Sequence, residues 1–91
     1  METKAFIRVP IVYNTYSDSV DIEVDTIISI GRIIAAKNEK AGCVIRTKKK
    51  DFDSSLERDD VINAVNLAYE TFNNQSKPMF IIVDASTYTV L

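Results

Sequence analysis

The sequence predicts an α+β domain: a mainly antiparallel, strongly bent sheet, one amphipathic helix and a C-terminal strand. Three observations predict it. Val- and Ile-rich runs with a period of two fill the first half of the chain. One later stretch repeats its apolar residues at spacings of three and four. A short apolar run then follows Pro78. Strands, a helix and a last strand make a sheet that can curl into a small, partly open barrel with the helix over one end.

Residues 5–13 read as the first strand. Pro10 lacks the N–H that a central strand uses, which predicts an edge strand or a bulge. Residues 14–19 are polar and read as a turn. In residues 20–24, Val20, Ile22 and Val24 alternate with Asp21, Glu23 and Asp25, the pattern of a strand with one wet face. Residues 27–36 are almost continuously apolar and dominated by β-branched Ile, so they read as a strand in which Gly31 marks a bend or bulge. Residues 37–42 read as a charged hairpin loop, 43–48 as the returning strand, 49–51 as a tight turn and 52–56 as a short fifth strand.

The helix rests on Val61, Ile62, Val65, Ala68, Tyr69 and Phe72, which fall on one face. Ser54 and Glu57 have capping-box spacing, and Asp59 and Asp60 suit the positive end of the helix dipole. Asn73, Asn74 and Gln75 weaken the C-terminus, and Pro78 ends it. Residues 79–83 suit a buried strand, and residues 87–91, where Tyr88 and Val90 alternate with Thr, one more.

At 91 residues the chain is expected to form a single domain, residues 1–91, whose thin core needs reinforcement. Cys43 is the only cysteine, so no disulfide can form within the chain, and with no histidine and one thiol a structural zinc site is not expected. A hydrophobic content of 46% leaves dense packing and self-association as the remaining means, and argues against disorder. The opening Met1-Glu2-Thr3-Lys4 leads into an apolar run broken by Arg8 and Pro10, unlike a secretory signal. No run approaches the roughly 18 apolar residues of a membrane span. A cytoplasmic protein with no membrane association is therefore expected, and the lone thiol fits a reducing compartment.

The stretch "VDIEVDTIISIGRII", followed after a loop by "GCVIRTKKKDFDSSLERDDVINAV", resembles short bacterial and phage reading frames of the flagellar-regulator FlbD type. The residues that carry the resemblance are Val24, Asp25, Ile27, Ile28 and Ile30, then Val44, Ile45, Asp51, Glu57, Asp59, Asp60 and Val61. They span residues 20–65. Lys49, Lys50 and Asp51 stand where that family has a hairpin glycine, and residues 79–91 have no counterpart in it. The resemblance implies a small-barrel, non-enzymatic module and specifies no ligand.

The residues themselves also speak against catalysis. Without histidine there is no common general acid–base and no Ser–His–Asp or Cys–His set. Cys43 begins a predicted strand in apolar surroundings and reads as a small buried hydrophobe. Gly31 and Gly42 are isolated, so no phosphate-cradling loop is present. Asp51, Asp53, Ser55 and Glu57 alternate as calcium-loop ligands do. That loop, however, needs glycine where Leu56 stands and an acid where Val61 or Ile62 stands. They read as a solvated turn entering the helix. No catalytic residue, metal or cofactor is expected.

Two features point to binding. Arg46, Lys48 and Lys50 would share a strand face, with Lys49 at the turn and Arg32 across from Arg46. These five form either an anion site or a solubilising edge that blocks aggregation. The net charge of −2 and the pI near 5.0 make nucleic acid a less favoured partner than a small anionic ligand or a protein. The patch also lacks the interleaved aromatics that stack on bases. Separately, the Ile-rich strand, the apolar run near the C-terminus and the helix face exceed what one small core buries, which predicts a homo-oligomer. The sequence thus predicts a binding or assembly module that takes a protein partner or sequesters a ligand, a phage-encoded inhibitor being one form. The alternative is an anion- or nucleic-acid-binding regulator.

Overall fold

The structure, a computed structural model, describes residues 4–12, 17–33, 42–74 and 80–91. Its strands are β1 (Lys4–Val12), β2 (Ser17–Glu23), β3 (Ile27–Arg32), β4 (Cys43–Thr47), β5 (Asp51–Ser54), β6 (Phe80–Asp84) and β7 (Thr89–Val90). The one α-helix among the described residues, α1, spans Arg58–Asn73, and a 3-10 turn, Val24–Thr26, joins β2 to β3. The seven-stranded sheet is mixed and mostly antiparallel, with order β3-β4-β5-β1-β6-β7 and β2 on the other edge of β1. Among the described strands only β1 and β6 pair in parallel, and α1 lies between β5 and β6 in the chain.

The connection from β2 to β3 shows that this sheet is not flat. From Glu23 to Ile27 the chain reaches at most about 14 Å. A flat ladder from β2 through β1, β5 and β4 to β3 would put them about 19 Å apart. The sheet therefore curls, bringing the start of β3 back toward the end of β2 without closing. The Lys48 N–H donates to the Thr26 carbonyl at 3.0 Å and ties the 3-10 turn to the β4–β5 turn.

Alternation along β1 sends Ala5, Ile7, Val9 and Ile11 to the core and leaves Phe6, Arg8 and Pro10 on the other face. Helix α1 packs against β1, β6 and β3. Ile7, Val9, Ile45, Ile81, Val83 and Val61 are essentially solvent-free at its centre. Each such side chain stabilises the fold by about 1.5–3 kcal/mol relative to exposure.

Several expectations are corrected. Strand β1 is central, not an edge: it pairs with β2, β5 and β6. Proline is tolerated because of where its missing donor falls. The Arg8 carbonyl accepts from the Ala85 N–H at 2.9 Å, so backbone groups of even-numbered β1 residues face the β6 side. The β6 pairing ends at Arg8 and β5 touches only Ile11, which leaves a gap beside Pro10. Residues 17–19 of the predicted turn belong to β2, because Val12 pairs with Ser17 and Ile11 with Asp18. The irregularity in β3 lies between Ile27 and Ser29, not at Gly31, which pairs in register with Val44. The bulge turns Ile28 outward, where it is 66% exposed.

The helix begins at a different cap from the one predicted. Glu57 is the N-cap and makes no side-chain cap bond. Ser54 ends β5, and its hydroxyl accepts from the Leu56 N–H at 3.2 Å. The buried stripe of α1 is Val61, Ala64 and Ala68, with Ile62, Val65 and Phe72 half-buried. Tyr69 lies at its margin, 40% exposed, and its hydroxyl donates to Asp25 at 3.2 Å. The last predicted strand shortens to β7, because residues 85–88 form a turn with Tyr88 at φ 55. Most of the predicted 37–42 loop, and Gln75 and Pro78, lie outside the described residues. No helix among the described residues is long and apolar enough to cross a membrane.

Candidate anion-binding cleft

The five basic residues predicted as one patch fall into separate groups. Strand β4 ends at Thr47, so the period-two alignment of Arg46, Lys48 and Lys50 stops there and residues 48–50 form a turn. Register puts Arg46 opposite Ser29 and Arg32 opposite Cys43, so Arg32 does not lie across from Arg46. Arg32 instead reaches Asp59 at the start of α1, at 3.5 Å, and Arg46 lies 4.0 Å from Asp51 on β5. Both pairs are more than half exposed and add little stability.

Lys49 and Lys50 differ. They make no ion pair with a described residue, and both line a cleft of about 250 Å³ where the β4–β5 turn approaches the 3-10 turn. The turn that carries them is held by Thr47, which is only 8% exposed. Its hydroxyl donates to the Lys50 carbonyl at 2.7 Å and accepts from the N–H groups of Lys49 and Lys50 at 3.3 and 3.2 Å. A buried anchor therefore fixes the backbone of the turn that carries the two exposed lysines.

Strand β2 contributes Asp21, Ile22 and Glu23 to the same lining, so the cleft carries two carboxylates as well as two ammonium groups. Asp21 is engaged: Arg8 donates to its two carboxylate oxygens from Nε at 2.8 Å and from a terminal nitrogen at 3.2 Å. That hydrogen bond, then the Asp21 and Asp84 charges, raises the Arg8 pKa further above its ordinary value. Glu23 has no cationic partner among the described residues. Phe6 of β1 and Phe52 of β5 also contribute to the lining, from opposite faces of the sheet: Phe52 pairs with the buried Ile45 and packs on the core, and Phe6 lies on the other face. The Lys50 ammonium lies 4.9 Å from the centre of the Phe52 ring, a cation–π contact.

A second cleft, of about 300 Å³, lies between Arg32, Gly42 and the first turn of α1. Its cations are already used. Arg58 donates from Nε to the Ile30 carbonyl at 2.8 Å, and Asp59 faces both Arg58, at 3.8 Å, and Arg32. The smaller cleft holds the uncommitted positive charge.

Cys43 is fully buried, and its thiol pKa is raised by desolvation first and by the Asp53 charge second. This is the opposite of nucleophile activation. Asp51 and Asp53 lie on the exposed face of β5, and among the described residues no three Cys, Asp or Glu side chains converge as metal ligands do. The chain matches no family model, no curated protein and no solved structure. The FlbD-type resemblance therefore stands on the residues quoted for it alone.

The sequence pointed to Lys49 and Lys50 but not to Phe6, Phe52 or Glu23. Phe52 stands two residues after Lys50, a spacing visible in the chain. Phe6 and Glu23 reach the cleft only through the pairing of β1 with β2 and the curl of the sheet.

Proposed function

We propose that this protein is a non-enzymatic binding module that sequesters a small anionic ligand in the cleft at Lys49 and Lys50. The observation that supports this reading is that two cations, neither paired with a described acid, line one cleft whose turn is anchored by the buried Thr47. Binding fits the chain better than catalysis, because it has no histidine and its one thiol is buried. Arg32, on the edge strand β3, is a solubilising charge in this reading, and so are the exposed Arg46 of β4 and Lys48 of the following turn.

The test is calorimetric titration of the protein with inorganic phosphate and pyrophosphate at low salt. Wild type is expected to bind, more weakly as salt rises. Lys49→Ala/Lys50→Ala is expected to lose binding and keep its melting temperature, since exposed substitutions cost within about 0.5 kcal/mol. Equal binding by both proteins, or none by wild type, refutes the reading.

A second reading, self-association or a protein partner, is favoured by one specific surface. Phe80, Val90 and Leu91 are 69%, 44% and 59% exposed. They lie beside β7, an edge strand that carries no charged side chain to block pairing. Sedimentation at micromolar concentration should then show a dimer or larger species, and a monomer removes this reading.

A further inference from the structure

We infer that the outer face of β1 and β6, the face turned away from α1, is the contact between two copies of this chain, stacked sheet on sheet so that β1 of each lies over β6 of the other. This inference rests on the self-association reading above and specifies its surface.

Alternation along β6 sends Ile81 and Val83 to the core and leaves Phe80, Ile82 and Asp84 on the other face. The outer residues of β1 are Lys4, Phe6 and Arg8, and the parallel register sets them beside Phe80, Ile82 and Asp84 in that order. Leu91 donates its N–H to the Ile82 carbonyl at 2.7 Å, which extends the β6–β7 ladder and puts Leu91 beside Ile82 on the same face. Phe6, Phe80, Ile82 and Leu91 thus form one apolar cluster, with the Phe6 and Phe80 ring centres 5.9 Å apart. Phe80 and Leu91 are 69% and 59% exposed, so nothing among the described residues covers them. Apolar clusters that face water in this way mark contact surfaces.

The order of charges says what covers this one. The outer face of β1 reads cation, ring, cation, and that of β6 reads ring, aliphatic, acid. A two-fold axis parallel to the strands and midway between them lays each column over the other. Lys4 then meets the partner's Phe80, a cation–π pair, and Phe6 meets the partner's Ile82. Arg8 meets the partner's Asp84. Arg8 uses Nε and one terminal nitrogen on Asp21, which leaves it a further terminal nitrogen. The Ser86 and Thr87 N–H groups both donate to Oδ1 of Asp84, at 2.9 and 3.4 Å, and hold that carboxylate in place. The flanking columns fit as well: Asp21 and Glu23 of β2 come over β7, which carries no charged side chain. The face is therefore complementary to itself, as a two-fold contact requires, and the strands stay near the aligned packing that twisted sheets prefer.

The experiment follows association of the intact protein by sedimentation and by backbone amide NMR shifts from about 1 to 500 µM, the range in which a small interface dissociates. Wild type is expected to dimerise, and the amides of Phe6, Phe80, Ile82 and Leu91 should shift with concentration while those of Lys49 and Lys50 do not. Phe80→Lys sets two lysines against each other at both ends of the contact and should raise the dimer dissociation constant about tenfold or more. An equal amount of Lys4→Glu added to Phe80→Lys should restore association as a mixed dimer, because residue 4 of one copy then meets residue 80 of the other as an ion pair. The melting curves of both variants separate these effects from unfolding, and the wild-type shifts need no variant. A dimer whose shifts lie elsewhere, a Phe80→Lys protein that dimerises like wild type, or a mixture that stays monomeric overturns the inference and leaves the self-association reading standing. A wild type that is monomeric throughout overturns both.

Discussion

Gly31 and Gly42 flank the same hairpin, yet the structure assigns them opposite tolerances. A Cβ on Gly31 meets nothing within 4 Å. A Cβ on Gly42 would collide with the Ser54 carbonyl oxygen, a backbone atom that no rotamer change can move aside. Ser54 is 3% exposed, pairs with Cys43 on β4 and is the residue through which β5 touches β1 at Ile11. Gly42→Ala must therefore push β5 away from both neighbours. Forced overpacking of this kind costs about 1–3 kcal/mol. A chain of this length has a total stability on the order of 5–14 kcal/mol, so the loss is a large fraction of it. Each kcal/mol moves the midpoint of a small domain by about 4–8 °C, so Gly42→Ala should melt about 4–24 °C below wild type. Gly31→Ala should melt with wild type or slightly above it, because alanine restricts the unfolded chain by about 0.4–1 kcal/mol. Thermal and urea melts followed by circular dichroism measure both. A Gly42→Ala protein as stable as wild type would mean that β4 and β5 do not approach as described.

Two other outcomes are expected. Thr47→Val keeps the side-chain shape but removes the hydroxyl that holds the lysine turn; it should cost about 1 kcal/mol in urea melts and weaken phosphate binding although both lysines remain. Cys43 and Tyr69 both have pKa values raised in the folded state, by burial first and by Asp53 and Asp25 second. The unfolded chain therefore gives up these protons at lower pH than the folded one. Their contribution is complete below the ordinary thiol value of about 8.5 and is lost as pH rises through the folded values. The urea midpoint should fall between neutral and strongly alkaline pH, and Cys43→Ala should flatten the first part of that fall. A midpoint that rises with pH would contradict the sign.

The elements whose signals are local were readable in the chain. The apolar spacing from Val61 to Phe72 specifies a helix because neighbours three and four apart meet on one face whatever the helix packs against. The alternation of Val20, Ile22 and Val24 with acidic residues specifies a strand with one wet side for the same reason. Lys49 and Lys50 stood out because adjacent charges are visible without a fold. The rest depended on partners far along the chain. Pro10 suggested an edge, but its cost depends on which side its missing N–H faces and on what lies there; the gap between β6 and β5 exists only in the assembled sheet. Ile28 and Gly31 both fit a bulge, and the pairing with β4 chose Ile28. The capping box shifted because Ser54 was claimed by β5. The cleft itself joins residues of β1, β2, β4 and β5 that only the curl of the sheet brings together. Short-range periodicity determined what each segment would become. Long-range pairing decided which segments became neighbours, and with that which of the charged and aromatic residues could act together.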